Sequence, residues 1–247
     1  MYRRAMIARF RSASVLATLP ASAGAGLQSA LDPHSPVASE ITAITWLLFG
    51  GATAIFVLVM ALTAYSMSAP ERAGRVLGHR RAIIIGGLAF PVALLSALLI
   101  HTLKVAGDIA APPEPPALRV EVVGEQFWWR VNYLTDAGYV DVATANEIHL
   151  PAGRPVEFRL RTVDVIHSFW MPNLAGKIDM IPGHVTTLSI RPDRPGVWRG
   201  QCAEYCGAQH ANMAFLVVVE TPEDFDAWLA AQRLPARPPA AYLERLR

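Results

Sequence analysis

Cysteine is scarce in this chain of 247 residues, with two in all, Cys202 and Cys206. Two cysteines cannot build a disulfide-stapled scaffold. Charge is scarce as well, at 17%, where soluble domains run at about a quarter. With 53% hydrophobic residues and a mean hydropathy of +0.30, the chain is too apolar for an ordinary cytosolic protein. Its 9% of aromatic residues excludes a disordered one. Net charge is nearly absent, at +2, yet it hides a polarity. Residues 1–117 carry 9 basic and 5 acidic groups, residues 118–220 carry 9 and 11, and residues 221–247 carry 4 of each. No folded part concentrates basic charge, so nothing points to a nucleic-acid partner. The composition describes a membrane-anchored protein with a mildly acidic head.

The first eleven residues hold Arg3, Arg4, Arg9 and Arg11 and no acid. A short apolar run from Ala13 to Leu19 follows, then Ala21-Ser22-Ala23 and Ala23-Gly24-Ala25, both of which fit a small-x-small cleavage signal. This layout predicts a signal peptide over residues 1–25, against the plainer reading of a basic disordered arm. Residues 26–110 then read as a membrane hairpin. Charge is missing from Ile41 to Pro70 and again from Ala82 to Leu103, and each run exceeds the roughly 20 residues that cross a bilayer. Spans of about 41–65 and 82–103 are predicted, the second bent at Pro91. The rest of the chain is too small to bury two such segments in a soluble core. The connection between them carries Arg72, Arg75, Arg80 and Arg81 against Glu71 alone. The positive-inside bias therefore places it in the cytoplasm and both ends outside, with the head in the periplasm of a bacterial-type inner membrane. His101 reads as an interfacial residue rather than a ligand.

Residues 111–117 form a proline-rich linker, after which the hydrophobic period becomes two. Val156, Phe158 and Leu160 alternate with Glu157, Arg159 and Arg161, the pattern of a half-buried strand. Val120–Tyr133, Asn146–Leu150, His184–Ile190, Gly196–Gln201 and Ala214–Glu220 are also strand-like, punctuated by glycine and proline. A β-sandwich or barrel over residues 118–220 follows. Thr221-Pro222 opens a helix through Gln232, with threonine as cap and proline at the first position, within a C-terminal helix and tail at 221–247.

The informative segment runs from Gly200 to Met213 and holds Cys202, Cys206, His210 and Met213. His167 lies upstream in Asp-Val-Ile-His-Ser-Phe. Thiolates, a thioether and imidazoles select copper over magnesium, calcium or manganese. One cysteine, two histidines and a methionine would make a mononuclear copper set. The second cysteine allows two thiolates to bridge two copper ions, with one histidine capping each. Three plainer readings compete: a disulfide in an exterior compartment, a zinc site, although zinc pairs have shorter cysteine spacing and no use for Met213, and ordinary surface histidines. The joint pattern weighs against all three.

These residues resemble subunit II of the haem–copper cytochrome c oxidases, with its dinuclear copper (CuA-type) centre. The resemblance covers nearly the whole chain: the two-span hairpin, Gly124-Glu-Gln-Phe-Trp-Trp129, the His167 segment, Lys177-Ile-Asp-Met-Ile-Pro-Gly183 and the cysteine loop. It implies a cupredoxin-like Greek-key β-barrel or sandwich on a two-helix transmembrane hairpin. It further implies His167, Cys202, Cys206, His210 and Met213 as side-chain ligands, with Glu204 through its backbone carbonyl. The Glu204 carboxylate would reach a magnesium ion shared with subunit I.

In the family a tryptophan at the position of Phe127 accepts the electron from cytochrome c; here Trp128 or Trp129 could take over. Asp164 matches a docking acid for a basic donor, or is a surface charge at a strand end. Many members carry a glutamate seven residues before the proline of the second span, where this chain has Ile84, so it is not expected to supply that proton-uptake carboxylate. No C-x-x-C-H occurs, so the chain carries no covalent haem and the donor is a separate protein. The implied function is that of the electron-accepting subunit of a proton-pumping terminal oxidase. Its implied partners are subunits I and III and cytochrome c, and oxygen chemistry lies on subunit I rather than on any catalytic residue here. A membrane-anchored copper redox or copper-delivery protein acting without subunit I would share the ligand set.

Overall fold

The structure, a computed structural model, describes residues 26–109 and 115–234. The expected signal peptide, most of the proline linker and the tail after residue 234 lie outside the described residues.

Ser35 caps α1 (Pro36–Ser68), its hydroxyl accepting from Ala38 N at 3.1 Å, with Pro36 at the first position. At ~1.5 Å per residue its 33 residues span ~50 Å, well beyond the ~30 Å of a hydrocarbon core. The surplus lies at its start, where Ala38 and Thr42 are buried against the head. Farther along, Trp46, Leu47, Phe49, Phe56, Val57 and Met60 are exposed, which a soluble core helix would not allow. The arginine-rich connection is partly helical: α2 (Pro70–Leu77) carries Arg72 and Arg75.

The second apolar helix runs from Arg80 to Ile109 as α3 (Arg80–Ile84), a wide π-helical turn (Ile85–Ala89) and α4 (Phe90–Ile109). Pro91 explains the wide turn. It has no N–H to give, and its ring presses on the carbonyl four residues back, Gly87, so the chain inserts an extra residue instead of clashing. Both helices are long and apolar enough to cross a membrane.

The head is a two-layer sandwich of five-stranded sheets. Its strands are β1 (Leu118–Glu125), β2 (Trp128–Leu134), β3 (Val140–Ala145), β4 (Glu147–Pro151), β5 (Val156–Thr162), β6 (His167–Trp170), β7 (Ile178–Met180), β8 (Thr186–Ile190), β9 (Gly196–Cys202) and β10 (Ala214–Glu220). One sheet is ordered β3-β2-β1-β5-β8 and the other β4-β10-β9-β6-β7. Pairing is antiparallel except between β1 and β5 and between β10 and β4. The single run expected from Val120 to Tyr133 is a hairpin, broken at Gln126-Phe127. β3, β6 and β7 carry too few large apolar residues to stand out by period. The chain changes sheets between β3 and β4 at Asn146, whose φ of 59° is left-handed. Its side-chain oxygen accepts from Trp129 N at 2.8 Å, local compensation of the kind that lets asparagine hold this conformation.

Inward side chains of both sheets interdigitate around four rings. Phe169 and Phe215 stack at 4.8 Å, and Trp129 meets them edge-on at 5.6 and 5.3 Å. Phe158 adds a tilted contact with Phe169 at 5.4 Å. Gly200 leaves the room that Phe215 fills, since a Cβ there would overlap the ring. α5 (Pro222–Gln232), capped by Thr221 as expected, closes the gap where the β3 and β4 edges meet. Trp228 packs on Tyr133 and stacks on His149 at 4.0 Å, and Arg233 pairs with Asp141 of β3.

Candidate metal centre

Four segments converge at one end of the sandwich: the start of β6, the end of β9, the 203–213 loop and the β1–β2 turn. β9 delivers Cys202 and β6 delivers His167 beside it, because Phe169 pairs with Cys202 in the antiparallel register. The loop between β9 and β10 turns back so that Cys206 faces Cys202. Both cysteines are free thiols, 3% and 4% exposed, with Sγ atoms 3.8 Å apart. A disulfide is therefore absent.

Each sulfur has its own imidazole. His167 Nδ1 lies 3.7 Å from Cys202 Sγ, and His210 Nδ1 lies 3.6 Å from Cys206 Sγ. Each also has a weaker donor nearby: the Glu204 carbonyl oxygen 3.1 Å from Cys202 Sγ, and Met213 Sδ 3.7 Å from Cys206 Sγ. His167, Cys202 and Cys206 form a group whose ligand atoms lie within 4.8 Å of one another. His210, on a 3-10 turn (His210–Asn212), and Met213 approach from the Cys206 side. All six residues singled out from the motif thus meet in one place. Two sulfurs at bridging separation, each flanked by one imidazole and one weak donor, are a donor set suited to a pair of copper ions. A single tetrahedral zinc ion would leave Met213 and the Glu204 carbonyl without a purpose.

Asp164 also makes contacts that neither sequence expectation named. Its Oδ1 lies 2.8 Å from His167 Nε2 and accepts from Val165 N at 2.6 Å, while its Oδ2 accepts from Gln126 N at 2.6 Å. The carboxylate turns His167 so that Nδ1 faces the sulfurs, an arrangement typical of metal-site histidines. Burial works to raise the Asp164 pKa, yet the hydrogen bonds from Gln126, His167 and Val165 outweigh it and hold it below the usual carboxylate range. Burial likewise works to lower that of His167, and its Cys202 and Asp164 partners reverse the sign. The thiols split. Burial opposes ionisation of Cys202, but His167 and the neighbouring backbone prevail and lower its pKa. Burial and then the Cys202 charge push Cys206 up.

The aromatic run separates by depth. Trp129 is fully buried, with its ring 6.1 Å from His167. Trp128 is half-buried, under the Arg130 guanidinium. Half-buried Phe127 lies against the cysteine loop, where a Cβ on Gly207 would come within 3.0 Å of its ring. The Glu204 carboxylate is about half exposed, 4.0 Å from Lys177 Nζ. Among the described residues it joins no group of three His, Cys, Asp or Glu ligands.

Two residues of the site carry no signal of their own in the sequence. Gly124 makes room for His167, since a Cβ would sit 2.9 Å from Cδ2 of the imidazole. Gln126 donates its side-chain amide to the Cys206 carbonyl at 2.5 Å, tying the β1–β2 turn to the loop. Both fall inside the Gly124–Trp129 motif, where the aromatics drew attention instead.

The family model for the periplasmic domain of cytochrome c oxidase subunit II matches residues 122–221. A cytochrome c oxidase subunit 2 of Alkalihalophilus pseudofirmus is 31% identical over 227 residues, covering 87% of this chain and 65% of that protein. An alternative cytochrome c oxidase subunit 2 of Bradyrhizobium diazoefficiens is 47% identical over 97 residues, 39% of this chain and 35% of the relative. A probable cytochrome c oxidase subunit 2 of Rickettsia bellii is 29% identical over 223 residues, covering 81% and 82%. The chain thus spans less than two thirds of the first two relatives' length. Fold and site define a cupredoxin-like protein with two apolar helices at its N-terminus. The head, over residues 122–221, belongs to the cytochrome c oxidase subunit II family.

Proposed function

We propose that this chain is the electron-accepting subunit of a respiratory terminal oxidase. It would take electrons from an exterior cytochrome c and pass them to haem in subunit I, where oxygen is reduced with proton pumping. The observation that carries this reading is the pair of buried thiols 3.8 Å apart, each with its own imidazole. Cys202, Cys206, His167, His210, Met213 and the Glu204 carbonyl would together hold two copper ions. When bound, the copper would supply one-electron redox chemistry.

The chain's own residues prepare that step. Asp164 fixes the His167 tautomer and ring plane. Gln126 and Gly124 hold the loop and the imidazole in register. Burial of both thiols keeps water away from them. Phe127 is the aromatic packed on the cysteine loop and is the favoured point at which an electron comes in, ahead of Trp128. Trp129 is fully buried beneath His167, out of a donor's reach. With three of its contacts committed inside the chain, Asp164 keeps 28% of its side chain exposed for a basic donor. Glu204 would share a magnesium ion with subunit I, next to Lys177. Subunit III completes the assembly, which sits in a bacterial-type inner membrane with the arginine-rich connection inside and the head in the periplasm. Proton uptake would use a carboxylate from another chain, since Ile84 occupies the position concerned.

Purification from membranes tests this reading. Co-isolation with a haem-bearing multi-span subunit, together with an EPR spectrum of one electron shared by two coppers, is expected. A stable isolated copper protein would favour a delivery role instead. Cys206→Ser is expected to abolish the two-copper hyperfine pattern, and its persistence would overturn the ligand assignment.

A further inference from the structure

Residues 26–35 run along the head before α1 begins and hold it by contacts remote in sequence. Leu27 O accepts from Arg199 N at 2.7 Å, and the Gln28 side-chain oxygen accepts from Arg199 Nη1 at 2.5 Å. His34 N donates to Asn173 O at 2.7 Å, and His34 O accepts from Asp193 N at 2.9 Å. Asn173 Nδ2 donates to Asp32 O at 2.9 Å, and Ser35 Oγ donates to Leu174 O at 2.5 Å. Thr42 Oγ1, on the second turn of α1, donates back to Ala30 O at 3.0 Å. Ser35 and Asn173 are fully buried, so these polar groups are committed to one arrangement.

His34 is the centre of the arrangement. It is 4% exposed, with its ring 4.6 Å from Trp198. Arg194 Nε donates to Nδ1 at 3.1 Å, and Asp32 Oδ2 lies 3.0 Å from Nε2. Arginine can only donate, so Nδ1 is the acceptor and Nε2 carries the hydrogen toward Asp32. The receiving segments lead to the metal centre. Asn173 and Leu174 follow β6, which starts at His167, and Trp198 and Arg199 lie in β9, which ends at Cys202. Beside them α1 comes close, with Ile41 Cδ1 3.5 Å from where a Gly176 Cβ would be.

We propose that residues 26–35 are a positioning strap, pinned by His34, that fixes the two ligand-bearing strands against the first apolar helix. In doing so it would set the path along which an electron leaves the head. The consequence for electron flow rests on the oxidase reading above, whereas the mechanical role does not. One electron passes from the reduced centre to an acceptor in the membrane, oxidising the first and reducing the second, with no proton or bond exchanged. His34 touches neither partner and is a positioning residue.

The test uses the full chain in its purified complex, with His34→Ala, His34→Gln and Arg194→Gln. Glutamine at 34 keeps one acceptor and one donor and serves as the conservative rescue. Arg194 is exposed, so its replacement probes the pin without opening the core. Three readouts are followed: hydrogen exchange at 26–35 and 173–176, the α1-to-head distance distribution from pulsed EPR between non-cysteine labels, and the separate rates of electron uptake and onward transfer. For His34→Ala and Arg194→Gln, exchange rises about tenfold or more, the distance distribution broadens, and onward transfer slows several-fold. Uptake and the copper spectrum stay as in the parent, and His34→Gln restores most of the loss. Unchanged exchange and distances overturn the proposal, as does loss of the copper spectrum in Arg194→Gln. A broadened distribution with unchanged onward transfer overturns its link to electron flow. If no haem-bearing chain co-isolates, the oxidase reading fails, while exchange and distance still decide the strap in the chain alone.

Discussion

At the scale of single residues, the metal centre depends on groups that are not ligands. Asp164 gives three short hydrogen-bond contacts to the frame around His167. Asp164→Asn places an amide beside the imidazole and removes the orienting charge. It is expected to weaken copper binding by roughly 10–100-fold, read by competition with a chelator of known affinity. Tyr133 offers a test independent of metal. Its hydroxyl accepts from His149 N at 2.7 Å and donates to His149 O at 3.1 Å. Burial first, with Glu147 and Glu220 adding to it against the His149 hydrogen bond, raises its pKa far above the ordinary 10. Below pH ~10 both folded and unfolded forms are neutral and the contribution is complete. Above it the unfolded chain ionises first, so stability falls with rising pH. Tyr133→Phe is expected to flatten that alkaline limb in denaturant titrations. At neutral pH it costs about 1–3 kcal/mol, because the buried His149 N–H loses its acceptor.

At the scale of elements, α5 works as the closure of an open sandwich. Trp228 stacks on His149 and meets Tyr133 edge-on where the β3 and β4 edges meet, and His149 is held between Glu147 and Glu220 at 2.6 and 3.1 Å. Trp228→Ala is expected to destabilise by roughly 2 kcal/mol, less than the 3–5 of a fully buried tryptophan, with copper spectra retained. Thermal unfolding followed by circular dichroism measures it, and a change in the copper spectrum would show that the closure reaches the site. The second apolar helix was legible in sequence as a charge-free run with a bend at Pro91. The π-helical turn was not, because a proline permits a kink, a break or a widened turn, and only the neighbouring carbonyls select among them.

At the scale of the whole molecule, Cys202, Cys206 and Met213 border the same buried core, but the aromatic centre of that core is built from other residues. The ring cluster of Trp129, Phe158, Phe169 and Phe215 holds the two sheets together without any ligand side chain, and only Trp129 reaches His167. Copper removal by a chelator is therefore expected to leave the far-ultraviolet spectrum of the protein unchanged while abolishing its copper absorption. Collapse of the β-signal on metal removal would mean that the centre organises the barrel. The sandwich was expected from period-two segments, although the hairpin at Gln126-Phe127 and the short strands β3, β6 and β7 escaped. The three or four residues of β6 and β7 give too few alternations to define a period, β3 is largely small or polar, and their positions follow from pairing with β9, β6 and β2.

The sequence by itself determined the chemistry and the anchorage. Two charge-free runs leave little choice but lipid-facing helices, since the water-soluble remainder could not cover them. Two cysteines, a histidine and a methionine in one short segment, with His167 upstream, restrict the metal by ligand softness alone. Tertiary structure decided who stands next to whom. It turned Asp164 toward His167 and set Trp129 beneath it, and it put Phe127 on the cysteine loop. It also laid residues 26–35 against β9 and the segment that follows β6. The contacts of residues 26–35 join segments more than a hundred residues apart, as His34 and Asn173 do, and no local pattern encodes them. They arise from the register of strands and the space left by glycines, which only the packed sandwich fixes.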